Sequence, residues 1–274
     1  MIKDTQKPSQ IYAIELAQAK GQYTIDSWKP EEAGNLYLEL EQPNWAPWLA
    51  AGEQTIAQRA SVFPAGQLVM KNLAGGYLGS LSLNQTHWDG IVDHLPSWDE
   101  VAGDPTDYSK TYKPDGNTLV LLSMNVAPLW KGKQIPGKLI DQATVIANKL
   151  GVTNLIGSFR PSGFGEIKQG LGYNLDFEEY CMMKRHNTTK PVDPWLGSLW
   201  HKGMQMLAVD PKAMIVKVPI EEFEGYKTVY KQGQWVEIKP DIWECGEVGS
   251  WTVDKTTGVA IYQESNMWGK LPLK

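Results

Sequence analysis

The thirteen residues from Val126 to Lys138, V-A-P-L-W-K-G-K-Q-I-P-G-K, hold three lysines and no acid. Lys131, Lys133 and Lys138 sit where a strongly apolar run gives way to helical periodicity. A helix starting in such a loop exposes the free N–H groups of its first turn, and its dipole is positive there. Lysines beside those N–H groups make a site for phosphate oxygens; the other meaning of the same residues is a basic surface turn. Neither G-K-[ST] nor G-x-G-x-x-G is present, so the loop is not a Walker or a Rossmann phosphate loop. Arg160 closes the next strand, where a guanidinium can meet a ligand oxyanion, or instead a structural partner such as Asp99 or Glu100. No nucleophile constellation stands out, which favours chemistry without a covalent enzyme intermediate. Cys181 and Cys245, the only cysteines, lack metal-type spacing and are too few for a disulfide framework. They are expected as reduced, partly buried thiols, with no metal bound.

The elements that must carry these groups are legible around them. Thr118–Val126 (TLVLLSMNV) is a continuous apolar run, the mark of a strand buried on both faces. Ile135, Leu139, Ala143, Ile146 and Leu150 recur at helical spacing, and Gly151 makes a stop. Thr153–Phe159 gives the next strand, so strand, loop, helix and strand form a right-handed crossover with parallel neighbours. Upstream, a short strand over 21–27 precedes a helix from Lys29-Pro30 to about Leu40. A second helix covers Gly52–Ala60, and Gly66–Lys71 and Tyr77–Leu83 form a hairpin around Leu73-Ala74-Gly75-Gly76. Residues 84–117 form a long polar stretch, functional or disordered in a compact domain. Asp193-Pro194 is an N-cap with proline at the first helical position, opening a helix that stops near Gly203. The remainder alternates, with a strong hairpin at Ser250–Tyr262. The whole is α/β or α+β with a mixed sheet.

Composition bounds the function. The chain has 274 residues, 42% hydrophobic and 21% charged, with a net charge of −5. That charge argues against a nucleic-acid partner, so a polyanionic ligand must be met locally. Met1–Gln10 is polar, and no apolar run approaches the roughly 18 residues that suggest a membrane span. A cytoplasmic protein without a membrane partner is expected.

The strand-Val126-Ala127-Pro128 stretch, its basic loop and the helix ending at Leu150-Gly151 resemble the coenzyme signature of the GNAT superfamily, (Arg/Gln)-x-x-Gly-x-(Gly/Ala). Lys131, Gln134 and Pro136 stand at its three defined positions. Pro96–Gly103 with Lys113–Gly116, Phe159–Phe164 and Asp193–Leu196 are similar to stretches of the GNAT subgroup found fused to carbon–nitrogen hydrolases. The likeness covers roughly residues 22–215.

The resemblance implies a mostly antiparallel twisted sheet with a central splayed parallel pair and flanking helices. It gives an acyltransferase domain over 1–216, with an insertion at 84–117. Residues 217–274 are left as a β-rich extension, expected to pack on the same fold. It implies acetyl-CoA or another acyl-CoA as co-substrate, held by Met124, Asn125, Val126, Lys131, Gly132, Lys133, Gln134, Ile135, Gly137 and Lys138. N–H groups near Asn125 and Val126 would polarise the acyl carbonyl. The acceptor would be a small-molecule or peptide amine, with Glu166 and Tyr173 as candidate bases. Arg160, Trp45 and Trp98 would be substrate-binding, Trp98 from a lid that includes Asp99 and Glu100. Trp48 can join Trp45 or simply pack. The family's usual tyrosine acid is missing near Ser198-Leu199-Trp200, and His201 is a weak substitute. A catalytically eroded acyl-CoA-binding module, or a decarboxylase or hydrolase of acyl thioesters, are the alternatives. A homodimer and association with a carbon–nitrogen hydrolase stay open.

Overall fold

The computed structural model describes residues 23–273; Gly21, Gln22 and the polar start lie outside them. Ten strands form one sheet in the order β1-β2-β3-β4-β5-β10-β9-β8-β7, with β6 on the other edge of β10. In chain order, β1 (Tyr23–Ser27) leads into a helical segment whose regular α-turn is α1 (Ala33–Leu36) and whose end is a π-helical turn, Tyr37–Glu41. Then come α2 (Glu53–Val62), β2 (Gln67–Asn72) and β3 (Tyr77–Thr86).

The polar 84–117 stretch is neither a free loop nor wholly a loop. Strand β3 runs on to Thr86, with Asn84 and Gln85 buried because their amides are spent on backbone. Asn84 Nδ2 donates to the Val101 carbonyl at 2.9 Å, and Gln85 Nε2 to the Gly116 carbonyl at 2.8 Å. Beyond it lie two 3-10 turns and α3 (Trp98–Ala102), started by a Ser97–Glu100 capping box. Trp88, Val101 and Tyr108 anchor the segment in the main core.

Strand β4 (Thr118–Val126), α4 (Ile135–Leu150) and β5 (Asn154–Phe159) form the expected crossover. Helix α4 packs closely on β3 at Gly79, where a Cβ would lie 2.7 Å from Ile135 Cγ2. Only glycine permits that approach. Next come α5 (Phe164–Gly170), α6 (Phe177–Met182) and α7 (Pro194–His201), the last capped by Asp193 through the Trp195 and Leu196 N–H groups.

The tail begins inside β6 (Gln205–Pro219), so the expected 216/217 boundary cuts a strand. Then follow α8 (Ile220–Val229), β7 (Val236–Lys239), β8 (Ile242–Glu244), β9 (Ser250–Asp254) and β10 (Val259–Leu271). Strand β10 pairs along one edge with β6 and, on the other, with β9 through Val259–Gln263 and with β5 through Met267–Leu271. It changes partner over residues 264–266, where its pairing with β6 also slips.

Candidate functional site

Strands β4 and β5 are parallel and paired only from Thr118/Asn154 to Leu121/Gly157. Beyond that they part. The cause is local to β4: its register with β3 steps from Leu121/Leu83 to Ser123/Ser82, leaving Leu122 as a bulged residue. A bulge bends its strand and increases the twist. The orphaned Leu122 carbonyl accepts from Trp98 Nε1 at 2.9 Å, so the side chain that roofs the opening also holds it open. Past the bulge, Ala127 N–H donates to the Leu78 carbonyl, toward β3. Alternation along the strand then points Asn125 at β3 as well, and turns the amides of Met124 and Val126 into the opening. The Val126 carbonyl on that side is covered by Asn44 Nδ2 at 3.0 Å. Asn125 is therefore corrected as a donor to an acyl oxygen; its N–H belongs to the ladder.

The opening is the mouth of a cavity of about 610 Å³. The post-bulge part of β4 forms its floor, and the end of β5, Ser158 to Arg160, one wall. Pro194, Trp195 and Ser198 of α7 form another. Asn44, Trp45 and Leu49 between α1 and α2 roof it with Trp98. At its basic end lie Lys131, Gly132 and Pro136. There the N-cap of α4 is Gln134, which has no side-chain cap and holds the left-handed conformation at φ 61° that glycine would adopt freely. Lys131 and Lys133 are exposed, while Lys138 Nζ lies 3.9 Å over the Tyr23 ring. Gly137 sits against Lys202, which is paired with Asp141 at 2.7 Å. Ile135 is spent on the core. Of the proposed loop ligands, Lys131, Lys133 and the first-turn amides meet no acid and no side-chain partner among the described residues.

The other end of the cavity is built from groups of both signs. Arg160 lines it but is not a free ligand: its Nε is 3.1 Å from Glu264 Oε2, and its Nη2 pairs with Glu247. Those two carboxylates, rather than Asp99 or Glu100, raise its pKa well above normal against the opposing effect of burial. Glu100 is used up in the α3 capping box. Asp99 accepts from Ile215 N–H at 2.8 Å. Although partly open at the surface, its carboxyl is pushed up to about 6, by desolvation first and then by Asp210, Glu264 and Glu100.

The two candidate bases are corrected. Glu166 is exposed on α5 and lies outside the cavity. Tyr173 does not line the cavity either; its hydroxyl is buried without a partner among the described residues, and burial, then Glu244 and Cys245, raises its pKa. Both follow β5 in sequence, but the chain turns away behind Arg160 to pack against the tail strands. His201 is on the surface, 2.7 Å from Lys190 Nζ. Trp48 packs: it is buried among Tyr226, Tyr230, Trp235, Trp251 and Tyr262. Cys181 and Cys245 are free and buried. Among the described residues no cluster could hold a metal, and no helix is long and apolar enough to cross a membrane.

Sequence reasoning missed Glu41 and Arg59, both buried and both lining the cavity. Glu41 Oε1 accepts from Ala51 N–H at 2.9 Å, and Oε2 from Asn125 Nδ2. Asn125 Oδ1 in turn accepts from Trp45 Nε1 at 2.7 Å. Desolvation raises the Glu41 pKa, against the lowering pull of Ala51 N–H, Arg59 and Asn125. For Arg59 a signal existed: it falls three residues after Ile56 on the buried face of α2. Glu41 falls eight residues after Ala33 on the buried face with Leu36 and Leu40, but an acid at a helix end reads in sequence as a solvated charge.

No family model and no curated protein matches the sequence. Solved structures do. The loading GNATL domain of CurA from Lyngbya majuscula superposes with a TM-score of 0.58 at 17% identity, over 70% of this chain and 88% of that one. The GphF GNAT-like decarboxylase, in complex with isobutyryl-CoA, gives 0.56 at 20% identity over 70% of this chain and 90% of that one.

The chain has the GNAT fold.

Malonyl-CoA decarboxylase from Agrobacterium vitis shares it, with a TM-score of 0.51 at 14% identity over 76% of this chain and 61% of that one. The sheet is mixed and mostly antiparallel, and the one parallel pair among the described residues, β4–β5, is the splayed one. In this chain β10 seats the tail within the sheet rather than beside it.

Proposed function

We propose that the protein binds an acyl-coenzyme A in this cleft and passes the acyl group directly to an amine. The observation that carries this reading is the opening of β4 from β5 beside a helix start with two exposed lysines. Pyrophosphate fits the α4 N-terminus, where N–H groups, dipole and lysines all favour anions. The pantetheine arm, an amide-bearing chain, then runs along the free edge of β4 and brings its thioester carbonyl to the amides of Met124 and Val126. Those N–H groups, fixed by the strand, stabilise the oxyanion that forms when an amine attacks. The bond to sulfur breaks and coenzyme A leaves as the thiol. The bound isobutyryl-CoA of the GphF structure supports an acyl-thioester ligand.

Decarboxylation of a carboxyacyl thioester is the second reading, favoured by two fold neighbours, GphF and malonyl-CoA decarboxylase. The same N–H groups would then stabilise an enolate. Incubating the protein with acetyl-, propionyl- and malonyl-CoA, with and without a panel of amines, separates the two by mass spectrometry and free thiol. Transfer releases one thiol per amide formed; decarboxylation gives a shortened acyl-CoA and no thiol. Binding with neither product leaves a ligand-holding module.

A further inference from the structure

We propose that Glu41 is the general base of the cleft, taking a proton from an acceptor amine that arrives as an alkylammonium ion; this rests on the acyl-transfer reading. Glu41 is 4% exposed as a residue and lines the cavity rather than the protein surface. It is held from two sides, by the Ala51 N–H from the segment before α2 and by the Asn125 amide from β4. Each oxygen accepts one bond and keeps a lone pair for a further donor. The Asn125 amide bridges Glu41 to the Trp45 indole N–H, so an acceptor lying against Trp45 is brought to the carboxylate. Indole faces and carboxylates both favour an ammonium ion. Toward the end of β5, Glu264 and Glu247 outnumber Arg160 and add negative charge.

The groups facing Glu41 leave it as the titrating acid of this end. From α2 the facing charge is Arg59, whose guanidinium lies 5.8 Å over the Tyr108 ring. Arg59 Nε is buried without a hydrogen-bond partner among the described residues. From β3 and β4 the facing groups are Ser80, Ser82, Ser123 and Asn125. Burial raises the Glu41 pKa, against the lowering pull of the Ala51 N–H, Arg59 and Asn125, and a raised carboxylate pKa makes a stronger base.

The step balances. One ammonium proton passes to the Glu41 carboxylate. The freed lone pair forms the C–N bond at the thioester carbonyl. On collapse the C–S bond breaks, and a second nitrogen proton ends on the departing sulfur. Glu41 later returns its proton to solvent.

The test compares two acceptors in wild type and Glu41→Gln: an alkylamine, protonated at neutral pH, and methoxyamine, uncharged there. Glu41→Gln should lower kcat for the alkylamine by about 100-fold, the lower end of what a positioned base contributes. It should change methoxyamine turnover by less than about threefold. In wild type, kcat for the alkylamine should fall as pH drops through the raised carboxylate pKa, while methoxyamine stays flat. Equal losses for both amines, or identical pH profiles in wild type, would overturn the assignment and leave acyl transfer standing. If wild type acylates neither amine, acyl transfer and this assignment fall together.

Discussion

The indole N–H of Trp98 donates to the carbonyl of Leu122, the residue at which β4 slips against β3. One side chain from a polar insertion thus satisfies the bulge that opens the sheet. Trp98→Phe should cost about 1 kcal/mol, one hydrogen bond with little lost packing. Trp98→Ala should cost about 2 kcal/mol or more, and both should weaken coenzyme A binding. Urea midpoints and calorimetry check this; full stability in Trp98→Phe would show that the bulge needs no cap. Because Trp88, Val101 and Tyr108 are core residues, 84–117 should also resist limited proteolysis without ligand.

Gln134 stands in a left-handed conformation at the start of α4. Gln134→Gly should raise stability or leave it unchanged, with coenzyme A affinity retained. Gln134→Val should lower the melting temperature, since β-branched residues resist positive φ. A destabilised glycine variant in thermal melts would contradict the geometry.

The Asp99 carboxyl, pushed up to about 6, holds its proton more tightly folded than unfolded. Its stability contribution is therefore full below about pH 4, the unfolded value, and is lost as pH rises through about 6. Asp99→Asn, which cannot ionise but can still accept from Ile215, should melt higher than wild type at pH 7.5 and no higher at pH 4. Parallel melting curves across that range would refute the shift.

Truncation after Val216 cuts β6 and removes β10, stripping β5 of its antiparallel partner. Met267, Trp268 and Leu271 alone bury three apolar side chains against the core, each contributing about 1.5–3 kcal/mol. The truncated chain should be insoluble. A soluble product melting within a couple of degrees of full length would show that the tail is a separable appendage.

The crossover was legible because burial wrote it directly: Leu119 to Leu122 form an unbroken apolar run within TLVLLSMNV, and the α4 core positions keep one helical phase. The loop lysines were legible because like charges gathered without acids. Helix α8 was not, since IEEFEGYKTV carries a glycine and β-branched residues and buries only Phe223. The interior of the cleft was least legible. Arg160 announced itself as a cation, but its partners Glu247 and Glu264 come from 87 and 104 residues away. Glu166 and Tyr173 were chosen by their distance from β5 along the chain, and only the fold shows that the chain leaves the cleft there. Asn125 sat in the right strand and on the wrong edge, a parity fixed by one bulged residue.

In the proposed binding mode coenzyme A lies with its pyrophosphate at the start of α4. Calorimetric titration of coenzyme A into wild type and the double variant Lys131→Glu/Lys133→Glu tests it most directly. Each lysine contact is expected to contribute on the order of 1 kcal/mol, so the double variant should bind at least about tenfold more weakly, with an unchanged melting temperature. Equal affinity in the two proteins would contradict the account.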